Sequence, residues 1–182
     1  MAETTTRKEI LIQSATKIFG THGYPKTTTA MIAMDAKVSE ALIFKHFQSK
    51  EGLLKAVLKS GFTTVILGNK GMLDERNPSA LIQKVLELPI QLVSRQPEFW
   101  RMQARMSNNL AAQEAQKNFM QPIHKILVSA FDELGYTEPV HETNLLLMVV
   151  DSLWKNMVRA EPLDSKAMIK YLQKKYKLQS PQ

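Results

Sequence analysis

The segment from residue 26 to residue 50 concentrates the side chains whose chemistry is most informative. Lys26, Lys37, Lys45 and Lys50 supply ammonium groups, and serine and threonine hydroxyls lie between them. Ammonium and hydroxyl groups bind phosphate oxygens, and such contacts supply much of the affinity of proteins for duplex DNA. The segment therefore indicates a nucleic-acid surface, unless the lysines serve only to keep the protein in solution.

The sequence contains none of several common catalytic motifs. It contains no cysteine, no G-x-S-x-G motif and no glycine-rich phosphate loop. His141-Glu142 lacks the second histidine that a metalloprotease helix places four residues after the first, and the histidines lie in different segments. We therefore expect no catalytic residue, no metal site and no cofactor.

Two features bear on where the protein acts. The absence of cysteine is typical of a reducing cytosol. The longest strictly apolar run, Leu145 to Val150, is far short of a membrane span. We expect a cytoplasmic protein with no membrane partner. The basic residues 166–177 also fit a membrane surface, although Tyr171 and Leu172 fit packing at a helix end equally well.

The formal net charge of +7 is unevenly distributed along the chain. Residues 1–60 carry nine Lys and Arg against five Asp and Glu, and residues 61–164 carry ten against twelve. Residues 165–182 carry five lysines and no acid. The positive charge therefore lies at the two ends, and its N-terminal share coincides with the lysine-rich segment, as phosphate contacts require.

The elements that must position these side chains are helices. Apolar residues recur at helical spacing almost everywhere and no strand pattern stands out, so we expect an all-α fold of about nine helices. A first helix is expected from about Thr5 to Thr21. A fourth helix is expected from Ser49 to about Leu67. Later helices are expected to restart near residues 78 and 97, each at a proline, and to cover about 112–134, 140–160 and 165–177. Pro89 and Pro122 are expected to kink their helices.

Two short helices are expected between Thr27 and Phe47. Thr27 or Thr28 can cap the first and Ser39 the second, and only Ala36-Lys37-Val38 separates them. Two helices of about two turns each, joined by such a short turn, have the dimensions of a DNA-binding helix-turn-helix.

Residues 23–54, with the sequence GYPKTTTAMIAMDAKVSEALIFKHFQSKEGLL, closely resemble the DNA-binding domain of the TetR family of repressors. The pattern covers roughly residues 7–58 and fixes about fifteen positions at set spacing, which makes it more specific than a lone helix-turn-helix. The resemblance implies a helix-turn-helix domain in residues 1–58, whose three helices precede a helical-bundle ligand-binding and dimerisation domain in residues 59–182.

The resemblance also implies that the second short helix enters the major groove of DNA. Lys37 stands where the family usually has glycine, at a turn position expected to need a positive φ. Leu42 and Phe44 replace the frequent threonine and tyrosine. Lys50 lies in the first turn of a helix, which disfavours a cation unless an anion binds there. The candidate DNA-binding residues are Thr27, Thr28, Lys37, Ser39, Glu40, Ala41, Leu42, Phe44, Lys45, His46 and Lys50.

The C-terminal half is expected to supply the dimer interface and a ligand pocket. The helix at 140–160 is apolar on more than one face, which favours a partner subunit; the alternative is a central helix in a monomer. The resemblance implies an intersubunit four-helix bundle from about residues 140–177. Large, soft side chains in this half are typical of adaptable pockets, although most also suit a core. The candidate ligand-binding residues are Trp100, Met106, Phe119, Met120, His124, Asp151, Trp154 and Met157.

The sequence thus predicts a homodimeric DNA-binding regulator, a repressor that binds a near-palindromic operator in double-stranded DNA. A small, largely apolar effector is expected to release it. The alternative is a constitutive or protein-partner-controlled DNA-binding protein without such an effector. A large pocket in the C-terminal half favours the first hypothesis, and solid packing there favours the second.

Overall fold

The computed structural model describes residues 6–160 and 163–177, and within these ranges the chain forms ten α-helices and no strand. This confirms the all-α prediction. The additional helix is the four-residue α5, which lies in a stretch expected to be a loop. The helices are α1 (Arg7–His22), α2 (Thr29–Asp35), α3 (Glu40–Phe47), α4 (Lys50–Gly68), α5 (Lys70–Leu73), α6 (Pro78–Arg95), α7 (Pro97–Arg105), α8 (Leu110–Glu133), α9 (Pro139–Arg159) and α10 (Ser165–Lys175).

Local signals in the sequence explain where α1 begins and ends. The Thr6 hydroxyl accepts a hydrogen bond from the Glu9 N–H, and the Glu9 carboxylate accepts one from the Thr6 N–H. This reciprocal pair satisfies two of the N–H groups that a helix start leaves open. The expected start at Thr5 lies outside the described residues. The helix ends at Gly23, whose φ of 79° suits a residue without Cβ.

Prolines act as start signals in three helices. The predicted starts of α6 and α7 at Pro78 and Pro97 are confirmed, and α9 likewise begins at Pro139. Proline suits a first helical position because the missing N–H has no partner there in any case. Pro89 and Pro122 lie inside α6 and α8, which continue through them. Neither proline therefore ends its helix.

The first four helices enclose a small core of apolar side chains. Leu11, Phe19, Ile32, Ile43 and Phe47 are buried there. α1 packs against α2 and α4, and α3 packs between α2 and α4. α2 and α3 are thus held by buried apolar side chains, which fixes the direction in which the outer face of α3 points.

α4 connects the N-terminal helices to the rest of the protein. The domain boundary expected after residue 58 falls within this helix, and it has buried side chains on both sides of that point, among them Leu54 and Phe62. These side chains belong to one contiguous apolar cluster that extends from α1 to the end of α10. Any displacement of the C-terminal helices therefore acts on a continuous core.

α9 is the central helix of the C-terminal part and packs against α6, α7, α8 and α10. Leu146, Val150 and Leu153 are buried in these contacts. The apolar run noted in the sequence lies within α9. Across the described ranges, none of the helices is both long and apolar enough to cross a membrane.

α7 approaches both α1 and α4 closely at two glycines. A Cβ at Gly20 would lie 3.5 Å from the backbone N of Met102 in α7. A Cβ at Gly61 would lie 2.1 Å from the ring of Phe99, which also packs edge-on against Phe62 and Trp100. The position of α7 on α4 therefore depends on the absence of a side chain at residue 61.

We expect Gly61→Ala to lower the free energy of unfolding by about 1–3 kcal/mol, because the added methyl overlaps the Phe99 ring. Phe99→Leu removes the ring atoms that the methyl meets. The double variant is therefore expected to be more stable than the sum of the two single effects predicts. Urea unfolding of the four proteins measures this coupling, and strictly additive losses would contradict the assigned contact.

Candidate nucleic-acid interface and ligand cleft

α3 has one buried face and one open face. Ile43 and Phe47 point into the core, whereas Glu40, Lys45 and the half-exposed Phe44 lie on the solvent side. Ala41 and His46 are exposed and Leu42 is partly buried. The open face thus carries carboxylate, ammonium, imidazole and apolar groups, which together suit hydrogen bonds and methyl contacts to base edges.

The first residues of α2 and α3 are joined by a side-chain hydrogen bond that the sequence did not reveal. The Thr29 hydroxyl in α2 donates a hydrogen bond to the Glu40 carboxylate at the start of α3. This bond fixes the rotamer of a candidate base-contacting residue. Ser39, the residue before α3, makes no capping hydrogen bond through its side chain, which leaves its exposed hydroxyl available to other partners.

Thr27 and Thr28 have different roles although they are adjacent. Thr28 is exposed and caps α2, its hydroxyl accepting from the Met31 N–H at 3.2 Å. Thr27 is only 1% exposed, and its hydroxyl donates to the Gly23 carbonyl at 2.8 Å. The expectation that Thr27 presents its hydroxyl to a phosphate is therefore corrected, because this group is buried and already bonded.

The Lys50 ammonium ties the start of α4 to the turn before α2. Its Nζ donates to the carbonyls of Thr27 at 2.8 Å and Tyr24 at 3.0 Å, and it lies 4.4 Å from the centre of the Tyr24 ring. Two carbonyls and an aromatic face stabilise the cation against the positive end of the helix dipole. Lys50 thus has a structural role that the sequence did not indicate, and its contact with a phosphate stays a prediction.

An ion pair fastens the other end of α2. The Lys17 ammonium in α1 binds the Asp35 carboxylate at the end of α2. This hydrogen bond holds the pKa of Asp35 below its ordinary value. A carboxyl with a lowered pKa stabilises the fold above its unfolded-state pKa, and the contribution is lost as the pH falls through the folded-state value.

The turn between α2 and α3 has the backbone expected from the sequence. Lys37 adopts a φ of 54°, which confirms the expected positive φ at this position. Its side chain is exposed beside α3. Gln48, directly after α3, also adopts a positive φ of 67°. Both residues carry a conformational strain that glycine would avoid.

The candidate ligand-binding residues do not form one pocket. Met106, Met120 and Asp151 line a cleft of about 400 Å³ between α7, α8 and α9, together with Gln103 and Lys117. We call this space the α7–α9 cleft. Its lining is mixed polar and apolar, so it is less apolar than the sequence suggested. The Asp151 carboxylate accepts hydrogen bonds from side chains on α8 and α9, namely those of Gln116, Trp154 and Lys155.

The other candidate residues lie elsewhere. Trp100 and Trp154 are buried and pack on each other with ring centres 4.9 Å apart. Phe119 stacks on Phe62 of α4. The His124 Nε2 is 3.0 Å from the side-chain oxygen of Asn144. Met157 lines a separate cleft beside α6.

Gln103 is the most deeply buried of the polar residues of the α7–α9 cleft that sequence reasoning missed. It is 4% exposed, and neither its Nε2 nor its Oε1 has a hydrogen-bond partner. The available signal was its place on the apolar stripe of α7, four residues after Phe99 and three before Met106. Over residues 6–160 and 163–177, no group of three or more His, Asp or Glu side chains is arranged to hold a metal ion.

We expect Lys37→Gly and Gln48→Gly each to raise the free energy of unfolding by about 0.5–1 kcal/mol, because glycine adopts a positive φ without strain. Ala36 provides the matched control, since its φ of −75° is ordinary and glycine there should lower stability. Denaturant titration of the three variants tests this. A loss of stability in both positive-φ variants would show that the strain is absent.

Comparison with known proteins places this geometry in a family. Residues 11–57 match the family model of bacterial regulatory proteins of the tetR family. The nucleoid occlusion factor SlmA of Photobacterium profundum is 33% identical over 104 residues, which cover 55% of this chain and 52% of that protein. The alignments with several curated relatives span between 25% and 63% of the relative's length.

Two solved structures share the fold over nearly the whole chain. The fatty acid degradation regulator FadR from Bacillus halodurans superposes with a TM-score of 0.75 at 14% identity, over 96% of each chain. AibR, solved in complex with isovaleryl coenzyme A and operator DNA, superposes with a TM-score of 0.76 at 18% identity, over 92% of this chain and 96% of AibR. Residues 11–57 thus match the tetR family of bacterial regulatory proteins, and the chain shares its all-helical fold with these two solved structures over more than nine tenths of its length.

Proposed function

We propose that the protein is a ligand-responsive repressor that binds a near-palindromic operator as a homodimer and releases it when a small effector binds the C-terminal helices. The open face of α3 carries this proposal, because Ile43 and Phe47 anchor the helix while Glu40 and Lys45 project outward. A helix held in this way has the geometry required to enter a major groove.

The DNA contacts fall into two groups under this proposal. Side chains on the exposed face of α3 contact base edges, and Glu40, already oriented by Thr29, can accept from the amino group of a cytosine. Groups around the helix ends contact phosphates and fix the register. The base-edge group comprises Ser39, Glu40, Ala41, Leu42 and Lys45. The phosphate group comprises Thr28, Lys37, His46 and the remaining donor capacity of Lys50, and Phe44 lies near the DNA backbone without a group that could donate to a phosphate.

The dimer interface is proposed to lie on α9. Leu145 is 45% exposed and Met148 is 71% exposed, and a spacing of three places them on one face of the helix. The opposite face is buried in the subunit's own core, as expected for a helix covered on two sides. In α10 the buried residues Ile169 and Leu172 pack within the subunit. α9 is therefore the better candidate for the contact with a second copy.

α7 is the element best placed to couple the effector to DNA. It carries Gln103 in the α7–α9 cleft, contacts α1 at Gly20 and contacts α4 at Gly61. An effector that shifts α7 would move α1 and α4 together, and with them the spacing of the two α3 helices in a dimer. A coupling of about 1–3 kcal/mol would lower DNA affinity about 5- to 150-fold.

A regulator controlled by a protein partner is the second candidate. The resemblance to nucleoid occlusion factors, at 33% identity over 55% of the chain, favours it. The α7–α9 cleft with its unpartnered Gln103 favours a small-molecule effector instead. Two structural neighbours also favour a small-molecule effector, since one is a regulator of fatty acid degradation and the other was solved with isovaleryl coenzyme A.

We expect Lys45→Met to weaken binding to specific and unrelated duplexes alike and to reduce the salt slope by about one unit, with no change in stability. Lys50→Met is expected to lower the free energy of unfolding by about 1.5–3 kcal/mol, because two carbonyls lose a charged donor. Lys125→Met, an exposed change on α8, is the control for net charge. Binding isotherms at several salt concentrations and urea unfolding separate the two effects. An unchanged salt slope for Lys45→Met would remove that residue from the interface.

We expect the chain to select near-palindromic sites from a random duplex pool, because a single α3, about 12 Å long, spans too few base pairs for selectivity.

Met148→Glu should yield monomers in sedimentation and lose affinity for the selected site. Leu67→Glu, which adds the same charge at an exposed leucine of α4, should leave both properties intact. A monomeric wild type that stays monomeric on DNA would defeat the dimer model.

A further inference from the structure

Gln103 poses a chemical problem in the described structure. More than nine in ten buried polar groups in folded proteins have a hydrogen-bond partner. The Gln103 side chain has one donor group and one acceptor group, both buried and both without a partner. It also lines the α7–α9 cleft. A molecule in that cleft with a matching acceptor and donor would satisfy both groups at once.

The other polar groups of the cleft are mostly engaged. Asp151 is paired with Lys155 and accepts two further hydrogen bonds, so this carboxylate and this ammonium compensate each other. The Gln113 amide donates to the carbonyl of Ser107 at 2.7 Å. Lys117 is the exception, because its ammonium makes no hydrogen bond or ion pair within the part of the chain that the structure describes. The exposed Lys117 side chain therefore adds to the cleft a positive charge that no described carboxylate pairs with.

Apolar side chains complete the lining. Met106, Ala112 and Met120 border the same space, and methionine adapts its shape to different apolar groups. The volume of about 400 Å³ lies within the range of small-molecule sites. A purely apolar ligand would leave Gln103 unpaired, and a cation would be repelled by Lys117.

We propose that the α7–α9 cleft binds an amphipathic organic acid that contains an amide. Gln103 pairs with the amide through both its groups, Lys117 binds the acid, and the methionines contact an apolar chain. This inference deepens the proposed function and rests on it for the statement that the bound molecule is the effector. It replaces the largely apolar effector expected from the sequence with one whose polar groups are specified.

The test uses N-hexanoylglycine as the probe, because it combines an apolar chain, an amide and a carboxylate. Nonanoate has the same chain length without the amide, and the methyl ester of N-hexanoylglycine lacks the charge. Titration calorimetry without DNA should show N-hexanoylglycine binding at least tenfold more tightly than either analogue, because a site built for hydrogen bonds rejects molecules that lack them.

Two variants assign the contacts. Gln103→Met, of similar shape but without the amide, should abolish the preference over nonanoate while its melting temperature stays equal or rises, because a buried unpaired group is removed. A fall in melting temperature would assign Gln103 a structural role instead. Gln113→Met, whose amide is already bonded within the chain, should keep the preference over nonanoate. Lys117→Met should abolish the preference for the acid over its ester.

The outcomes separate this inference from the proposed function. Failure of N-hexanoylglycine to bind at millimolar concentration, or equal binding of probe and nonanoate, would overturn the assigned ligand class, while operator binding measured alone would still stand. Gln103-dependent binding of the probe that leaves operator affinity unchanged would support the site and contradict control by that ligand.

Discussion

The arrangement of this protein depends on the contact of α7 with α1 and α4, the two helices against which α2 and α3 of the helix-turn-helix pack. The approach is possible because residues 20 and 61 are glycines, which bring α7 against the backbone of α1 and place Phe99 against α4. Packed interfaces of this kind do not deform continuously, so helices in such contact move together or not at all. The angle of α3 and the shape of the α7–α9 cleft are thereby linked through one short helix.

Most of the core is apolar, a few buried polar atoms in it lack a hydrogen-bond partner, and the amide of Gln103 in the cleft supplies two of these atoms. Elsewhere the chain buries leucine, isoleucine and phenylalanine at the positions that helical spacing assigns to the interior. Gln103 occupies such a position with a polar side chain that has no partner. Local conflicts with the folding pattern concentrate at functional sites, where a group is kept for what it binds and not for stability. A core built for stability alone would place leucine or methionine there.

Most of the fold followed from local signals in the sequence, and part of the site did not. The capping residues, the prolines at helix starts and the apolar spacing were sufficient to place α2, α3, α6 and α7, and the turn pattern indicated the positive φ of Lys37. Thr27 and Thr28 are alike in sequence, and only the structure shows that the Thr27 hydroxyl is buried and donates to the Gly23 carbonyl, whereas the Thr28 hydroxyl caps α2. The bonds of Lys50 join residues more than twenty positions apart, which no local pattern records. The division of the candidate pocket residues among separate clefts likewise depends on helix packing.

The bond between Lys50 and the turn before α2 has an evolutionary consequence. Its ammonium donates to main-chain carbonyls, and every amino acid has one. The hydrogen bonds of Lys50 therefore depend on the path of the turn backbone, whereas its contact with the ring of Tyr24 depends on that side chain. Residue 50 cannot be replaced by arginine without losing this contact, because the planar guanidinium group differs in shape from the compact ammonium that donates to two carbonyls. Selection on this contact therefore acts on the side chains of residues 50 and 24, while Pro25 and Lys26 between the two bonded carbonyls supply no atom to it.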